Sequence, residues 1–221
     1  TRGPAERVAE AAEMLHEARR PVLLVGHGAL LSHAERPIRV LAERLKIPVV
    51  TTLLGKGAFP ENHELSLGML GMHGTAYANF AVNDCDLIMS IGSRWDDRIV
   101  GQPDIFCKDA KRIHIDIDVS EWNKMIDTHC FIHGDAKLVV EELNTMAEPG
   151  DTADWLVQVA RWKKKYPLKY PKRGGLKAEH VIDRAYQVCK GDAIVTTDVG
   201  QHQMWAAQFF KTHEPNTWVS S

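Results

Sequence analysis

The sequence is poor in the features that most quickly define a protein class. Its 221 residues include four cysteines, Cys85, Cys107, Cys130 and Cys189, widely spaced and without a C-x-x-C pair. Neither a zinc knuckle nor a disulfide framework is suggested, and this sparse usage fits a reducing, intracellular setting. No apolar run approaches the roughly 20 residues of a membrane span and no signal peptide is visible, so no membrane partner is expected. The formal net charge is only −2, which argues against a nucleic-acid surface. One basic run, Arg161-Trp162-Lys163-Lys164-Lys165, reads as a solvated helix face rather than a docking patch. Internal repeats and low-complexity tracts are missing too.

What is present is ordinary core-forming material. Hydrophobic residues make up 44% and charged residues 25%, enough for one large domain or one and a half ordinary ones. Apolar residues Val8, Ala11, Ala12, Leu15 and Ala18 keep helical spacing behind Pro4, and residues 34–45 return to that period. Between them PVLLVGHG is a short continuous apolar run ending in glycines, the pattern of a buried parallel strand and a tight turn. The alternation continues: strands at 47–53, 86–92, 111–118 and 130–135, helices at 75–85 and 136–146. Strands alternating with helices predict β-α-β units and a parallel sheet with helices on both faces. The pattern breaks at Glu148-Pro149-Gly150-Asp151, where a helix with Trp155 and Trp162 leads into a proline-, lysine- and glycine-rich linker at 166–175. A second β-α unit begins at 178, with helices at 178–190 and 200–210 around a strand at 192–200. The expected division is 1–148, a connecting segment 149–177, and 178–221. The chain begins at Thr1 rather than Met, and Trp218-Val219-Ser220-Ser221 reads as a strand; a piece of a longer protein is expected.

In open α/β sheets, ligands bind beyond the carboxyl ends of the strands, and here those ends are chemically loaded. Gly26-His27-Gly28 follows the first strand. Its backbone suits approach to a phosphate at a helix start, or simply a tight turn. Leu31 stands where a G-x-G-x-x-G fingerprint needs its third glycine. Thr51-Thr52-Leu53-Leu54-Gly55-Lys56-Gly57 follows the second strand and offers hydroxyls and open backbone, or is a loop with Lys56 solvated. LGMLGMHG, residues 67–74, is too glycine-rich for a helix interior and too irregular for a strand. Next, Arg94, Asp96, Asp97 and Arg98 crowd into five positions after Gly92. Arginine forks bind carboxylates or phosphates at two points, and aspartates can hold the forks in place; a surface ion-pair cluster is the plainer alternative. Asp116 and Asp118 in RIHIDID lie on one side by alternation, so one can accept from a ribose hydroxyl and the other cap the next turn. Gly134-Asp135 closes the next strand, with Asp135 equally a helix N-cap. In the second unit, Val199, Gly200, Gln201 and His202 mark a strand-to-helix turn able to take an anion, with His202 alternatively a cap or core histidine.

Taken together, GKGAFPENHELSLGMLGMHGTAYANFAVNDCDLIMSIGSRWDDRIVG, RIHIDID, HGDAK and TTDVGQHQMWAAQFF resemble the large catalytic subunits of the acetohydroxyacid synthase (acetolactate synthase) family of thiamine-diphosphate enzymes. The resemblance covers essentially the whole chain. It implies a Rossmann-like (DHS-like) central FAD-binding domain over 1–148 and the opening of a thiamine-diphosphate-binding domain over 178–221. By position it assigns Gly26, His27, Gly28, Thr52, Leu53, Leu70, Gly71, Met72, His73, Gly92, Arg94, Asp96, Arg98, Asp116, Ile117, Gly134 and Asp135 to FAD. Arg98, Met72 and Asp97 fall to the second 2-keto acid, and Val199, Gly200, Gln201 and His202 to the diphosphate of thiamine diphosphate. The implied reaction is decarboxylation of pyruvate and transfer of its two-carbon unit to a 2-keto acid, in branched-chain amino-acid biosynthesis. The resemblance further implies a homodimer or homotetramer at full length, a regulatory small subunit, and a cytoplasmic, plastid or mitochondrial location. The family's catalytic glutamate and its magnesium motif are not in this sequence, so no catalytic or metal-ligating residue is assigned and the chain alone is expected to be inactive. Ser93, Trp95 and Val119 depart from the family pattern, which touches local packing only. Rival readings are glyoxylate carboligase, pyruvate oxidase and a non-catalytic nucleotide-binding module.

Overall fold

The computed structural model describes residues 1–171 and 173–220. The elements in chain order are α1 (Ala5–Glu17), β1 (Pro21–Val25), α2 (His27–Leu31), α3 (Glu35–Leu45), β2 (Val49–Thr51), β3 (Ser66–Met69), α4 (Ala76–Asp84), β4 (Leu87–Ile91), α5 (Asp97–Val100), β5 (Lys111–Asp116), β6 (Cys130–His133), α6 (Ala136–Met146), α7 (Ala153–Lys165), α8 (Ala178–Cys189), β7 (Val195–Thr197), α9 (Gln201–Phe209) and β8 (Trp218–Ser220).

Six strands form one parallel sheet in the order β3-β2-β1-β4-β5-β6. This is the doubly wound order, with its switch point between β1 and β4. The continuous apolar runs follow from burial on both faces. Leu23 and Val25 of β1 join Val8 and Leu15 of α1, Ile38 and Leu41 of α3, and Val139 and Leu143 of α6 in one core. Val22 and Leu24, one residue out of phase, join Ala78 and Ala81 of α4 and Trp155 and Val159 of α7 in the other. Period-two alternation thus serves two cores instead of a core and solvent.

Most expected elements are present within a residue or two, but three readings are corrected. Leu67, Gly68 and Met69 are strand after all: β3 pairs with β2 at Val49↔Ser66 and Thr51↔Met69. Between those pairs Val50 alone opposes Leu67 and Gly68, so β3 carries a bulge, with Gly68 at φ +72°; the bulge erases the strand pattern from the sequence. The basic run is not simply solvated. Lys163 donates to the carbonyls of Glu64 and Ser66 at 2.9 and 3.0 Å, and burial, together with the charge of Lys211, lowers its pKa. Lys56 is not solvated either, being 0% exposed.

The last four elements make a second, smaller layer in which β7 and β8 pair in parallel. Ala206, Ala207 and Trp218 of this layer share a small core with Met69 of the sheet edge, flanked by Leu53, Ile182 and Val195. α7, from the connecting segment, is fastened to the sheet where Trp155 Nε1 donates to the Pro21 carbonyl at 3.0 Å.

Candidate functional site

The 67–74 segment runs off β3 into a loop that α4 holds still. Thr75 Oγ1 donates to the Leu67 carbonyl (2.8 Å) and accepts from the Ala78 N–H (3.1 Å), capping α4. The Asn79 amide grips Gly71 twice, accepting from its N–H at 2.9 Å and donating to its carbonyl at 3.0 Å. A Cβ at Gly71 would stand 2.6 Å from the Arg98 carbonyl, so this glycine lets the loop lie against the start of α5. From the second layer, Gln208 Nε2 donates to the His73 carbonyl at 2.9 Å. With its backbone fixed on three sides, the loop projects Met72, 76% exposed, and His73.

Those side chains line a largely apolar cavity of about 480 Å³ at the junction of the two layers. Leu53 comes from the end of β2, Leu70, Met72 and His73 from the loop, Arg98 from α5, and Val199, Gly200 and Gln201 from the start of α9. The first amides of α9 have no partner within the helix, and the helix dipole adds positive character there. An anion can therefore sit at one end, flat apolar surface beside it, and a guanidinium opposite.

The arginine cluster is built differently from its sequence reading. Asp96 does not clasp an arginine fork: its Oδ1 caps α5 by accepting the Arg98 N–H at 3.0 Å. Its nearest guanidinium nitrogen, Arg94 Nη2, lies 3.8 Å from Oδ2, on an exposed pair worth little. The Arg98 N–H, then Asp97, hold the Asp96 carboxyl below its ordinary pKa, with Arg94 and Arg98 adding to this against partial burial. Trp95 between them is buried at φ +55° and packs edge-on against Phe106 and His114. A bulky residue in that conformation is strained by about 1–3 kcal/mol, which apolar burial of the indole opposes; Arg94 on one side is exposed and Asp96 on the other caps α5.

A second crevice, about 160 Å³, opens at the switch point between Gly28, Gly92, Asp116, Ile117 and Asp135. The loops after β1 and β4 touch backbone to backbone here: Gly26 N–H donates to the Ile91 carbonyl and Gly28 N–H to that of Gly92, both at 3.0 Å. These amides are engaged, and α2 is a single turn, so Gly26-His27-Gly28 offers close approach rather than a phosphate cradle. Asp116 Oδ1 accepts from the Asp118 N–H at 2.9 Å. Burial, the largest influence on Asp116, pushes its pKa up, but His114 and the N–H groups of Asp118 and Ile117 outweigh it and keep the carboxylate charged. A charged, buried acceptor beside bare backbone and the exposed Ile117 has the donor-seeking and apolar surfaces that a ribose and its base require.

Residues 8–143, more than half of the chain, match the family described as thiamine pyrophosphate enzyme, central domain. The chain belongs to that family. Among relatives, the acetolactate synthase large subunit of Parasynechococcus marenigrum (strain WH8102) is 48% identical over 219 residues, covering 97% of this chain and 35% of that protein. That of Cyanidium caldarium is 47% identical over 217 residues, covering 95% and 37%. The acetolactate synthase of Mycobacterium bovis (strain ATCC BAA-935 / AF2122/97) is 43% identical over 229 residues, covering 100% and 37%. The chain therefore spans little more than a third of the length of these relatives.

The residues that the sequence marked as site candidates fall into three groups. Leu53, Leu70, Met72, His73, Arg98, Val199, Gly200 and Gln201 meet in the junction cavity. Gly28, Gly92, Asp116, Ile117 and Asp135 meet in the crevice. Others line neither. Gly134 is buried against Gly3 and Val139, Thr52 Oγ1 accepts the Gly55 N–H in a tight turn, and His27, Arg94, Asp97 and His202 are exposed. Asp135 is the N-cap of α6, accepting from the Leu138 N–H at 3.1 Å, while Asp118 caps the short turn after β5. Met69, within the 67–74 stretch, and Gln203, within the 198–203 stretch, also line the junction cavity, as do Ile99 and Met204, and the last two escaped the sequence reading. Helical spacing from Gly200 to Met204, one turn apart, was the available signal for the last. Among the described residues no group of three or more His, Cys, Asp or Glu side chains is placed to hold a metal ion, and no helix is long and apolar enough to cross a membrane.

Proposed function

We propose that this chain is the central domain, with the opening of the next, of an acetolactate synthase catalytic subunit. The whole protein decarboxylates pyruvate and joins the two-carbon unit to a second 2-keto acid, pyruvate or 2-ketobutyrate. The junction cavity carries this reading, because it brings an arginine, an apolar loop and a helix start together from segments more than a hundred residues apart. The relatives named acetolactate synthase support it over nearly the whole chain.

Thiamine diphosphate, when bound, supplies the electron sink for decarboxylation. Val199, Gly200, Gln201 and His202 would hold its diphosphate end, where the α9 amides and dipole fit an anion. Leu53, Leu70, Gly71, Met72 and His73 would lie along the FAD ring system. Gly28, Gly92, Asp116, Ile117 and Asp135 would take its adenosine end, with Gly26, His27, Thr52, Arg94, Asp96 and Gly134 shaping the loops around them. Arg98 would receive the carboxylate of the second 2-keto acid, near Met72 and Asp97. A charge-assisted hydrogen bond of this kind is worth about 1.5–3 kcal/mol. Magnesium ligands and the catalytic glutamate lie outside this chain, so it does not turn over by itself. The domain division at 148 and 178, a homodimeric or homotetrameric full-length enzyme, a regulatory small subunit and a cytoplasmic, plastid or mitochondrial location belong to the same reading.

The test has two arms. Flavin fluorescence quenching measures FAD binding to the purified chain and to Met72→Ala. Met72 is mostly exposed, so the variant should keep its unfolding midpoint while its FAD affinity falls several-fold. In the full-length protein, Arg98→Ala should raise KM for the acceptor keto acid by about 10- to 160-fold, the range that 1.5–3 kcal/mol represents. A wild-type chain blind to FAD together with a full-length protein that forms no acetolactate would sink the proposal.

A further inference from the structure

The segment Gly55-Lys56-Gly57 is not absorbed by that function. A Cβ at Gly57 would stand 2.7 Å from the Glu214 carbonyl, so the strap presses against the connection between α9 and β8. Lys56 is 0% exposed and its partner Glu61 has a side chain only 8% exposed. The ammonium donates to both Glu61 oxygens, at 2.6 and 2.7 Å, and to the Ala207 carbonyl in the last turn of α9 at 3.0 Å. Its three protons are thereby all used. The Trp218 ring, which opens β8, lies 5.3 Å from the same nitrogen. Glu61 grips Thr212 in turn: Oε2 accepts from its N–H at 2.7 Å and its hydroxyl at 3.2 Å, and the Glu61 N–H donates to the Thr212 carbonyl at 3.0 Å.

A buried ion pair is a poor way to gain stability, because desolvation cancels most of the attraction and apolar residues of similar volume often do as well. Its distinctive property is that it tolerates one geometry only. Here that geometry joins the strap after β2 to three points of the second layer: the end of α9, the following turn and the start of β8. Leu53, at the head of the same strap, lines the junction cavity, and so do Gly200 and Gln201 at the far end of α9. Seven residues of helix, about 10 Å, separate Gly200 from the pinned Ala207, so a shift at the clamp moves the helix start by a comparable amount.

We propose that Lys56 and Glu61 are positioning residues, a buried clamp that sets the gap between the start of α9 and the Met72 loop and so the shape of the cofactor cavity. This rests on the proposed function for the identity of the ligand. The experiment uses the full-length protein with Lys56→Met and with the double variant Lys56→Met/Glu61→Gln. Three quantities are read: the unfolding midpoint, hydrogen exchange in α9 against β1 and β4, and the Kd for thiamine diphosphate. The single variant strands a buried carboxylate and should lower the midpoint. The double variant leaves no unpaired charge and should regain it. In that restored protein, α9 amides should exchange at least tenfold faster, the thiamine diphosphate Kd should rise at least tenfold, and exchange in β1 and β4 should stay as in the wild type. A double variant with wild-type α9 exchange and wild-type affinity, or one that fails to fold, overturns the clamp. A wild type that binds no thiamine diphosphate overturns the proposed function, and α9 exchange in the double variant then decides the clamp.

Discussion

Three glycine-to-alanine substitutions separate backbone strain from crowding at the switch point. Gly101 has φ +65° and ψ −90°, and nothing within 4 Å of where a Cβ would stand; Gly101→Ala meets strain alone, about 1–3 kcal/mol. Gly26 has φ −104°, which alanine adopts freely, but its Cβ would stand 2.2 Å from the Gly92 carbonyl oxygen and 2.6 Å from Ser93 Cβ. Gly26→Ala must therefore push the β1 and β4 loops apart. Overpacking of this kind costs about 1–3 kcal/mol, and the Gly26–Ile91 and Gly28–Gly92 backbone bonds would each lose about 0.5–1.5 kcal/mol if broken. Gly92 combines both problems, with φ +62° and a Cβ 2.7 Å from Gly28 Cα and Ala29 N. Gly92→Ala should cost about 2–5 kcal/mol before any loss of those same backbone bonds, a large part of a total stability of about 5–15 kcal/mol. Urea unfolding followed by circular dichroism measures all three, with the slopes checked for constancy so that midpoints report stability. The expected order is Gly92→Ala worst and Gly101→Ala mildest. If Gly92→Ala is no worse than Gly101→Ala, the two loops do not approach as described and the crevice between them is wrong.

Asp135→Ala removes the α6 cap and should lower stability by about 0.5–2 kcal/mol, whereas Asp135→Ser keeps a capping oxygen and should lose little. If Asp135 also meets the flavin's adenosine end, FAD titration shows weaker binding in both variants; unchanged affinity in both would leave it a cap only. Asp116 provides the pH prediction. Its folded pKa is depressed below the ordinary carboxylate value despite burial, so its contribution to stability is present above about pH 4 and lost as pH falls through the folded value. Asp116→Asn should flatten the acid limb of a thermal-midpoint profile; an unchanged limb would mean the carboxylate is not held as described.

The layered sheet is legible in the sequence because its physics is local. PVLLV and DLIMSIG are continuous apolar runs since both faces of a parallel sheet are covered, and Val8, Leu15, Ile38 and Leu41 keep helical spacing since each helix buries one stripe. The candidate site is legible only in part. Glycines and charges at strand ends mark where a ligand could lie, and the crevice and cavity gather many of them. The roles within those loops are not local. Asp96 caps α5 instead of holding an arginine because Trp95 beside it is drawn into the core, 5.7 Å from a histidine nineteen residues on. β3 hides behind its bulge, since a strand is defined by its partner's hydrogen bonds and Gly68 breaks the two-residue period.

By itself, then, the sequence determined the α/β class, most elements in their order and the stretches where a ligand could lie, because apolar period and turn chemistry are properties of neighbouring residues; the family entered through the resemblance of its motifs. Only the tertiary structure decided that Lys56 is buried and not solvated, that the Gly26 and Gly28 amides are already engaged, and that Met72 and Arg98 face the start of α9. Each of those depends on groups brought together across the chain, Lys56 with Ala207 and Gly28 with Gly92. No pattern of neighbours encodes such distances; they arise from how the two layers pack and from the few buried polar contacts that hold that packing to a single arrangement.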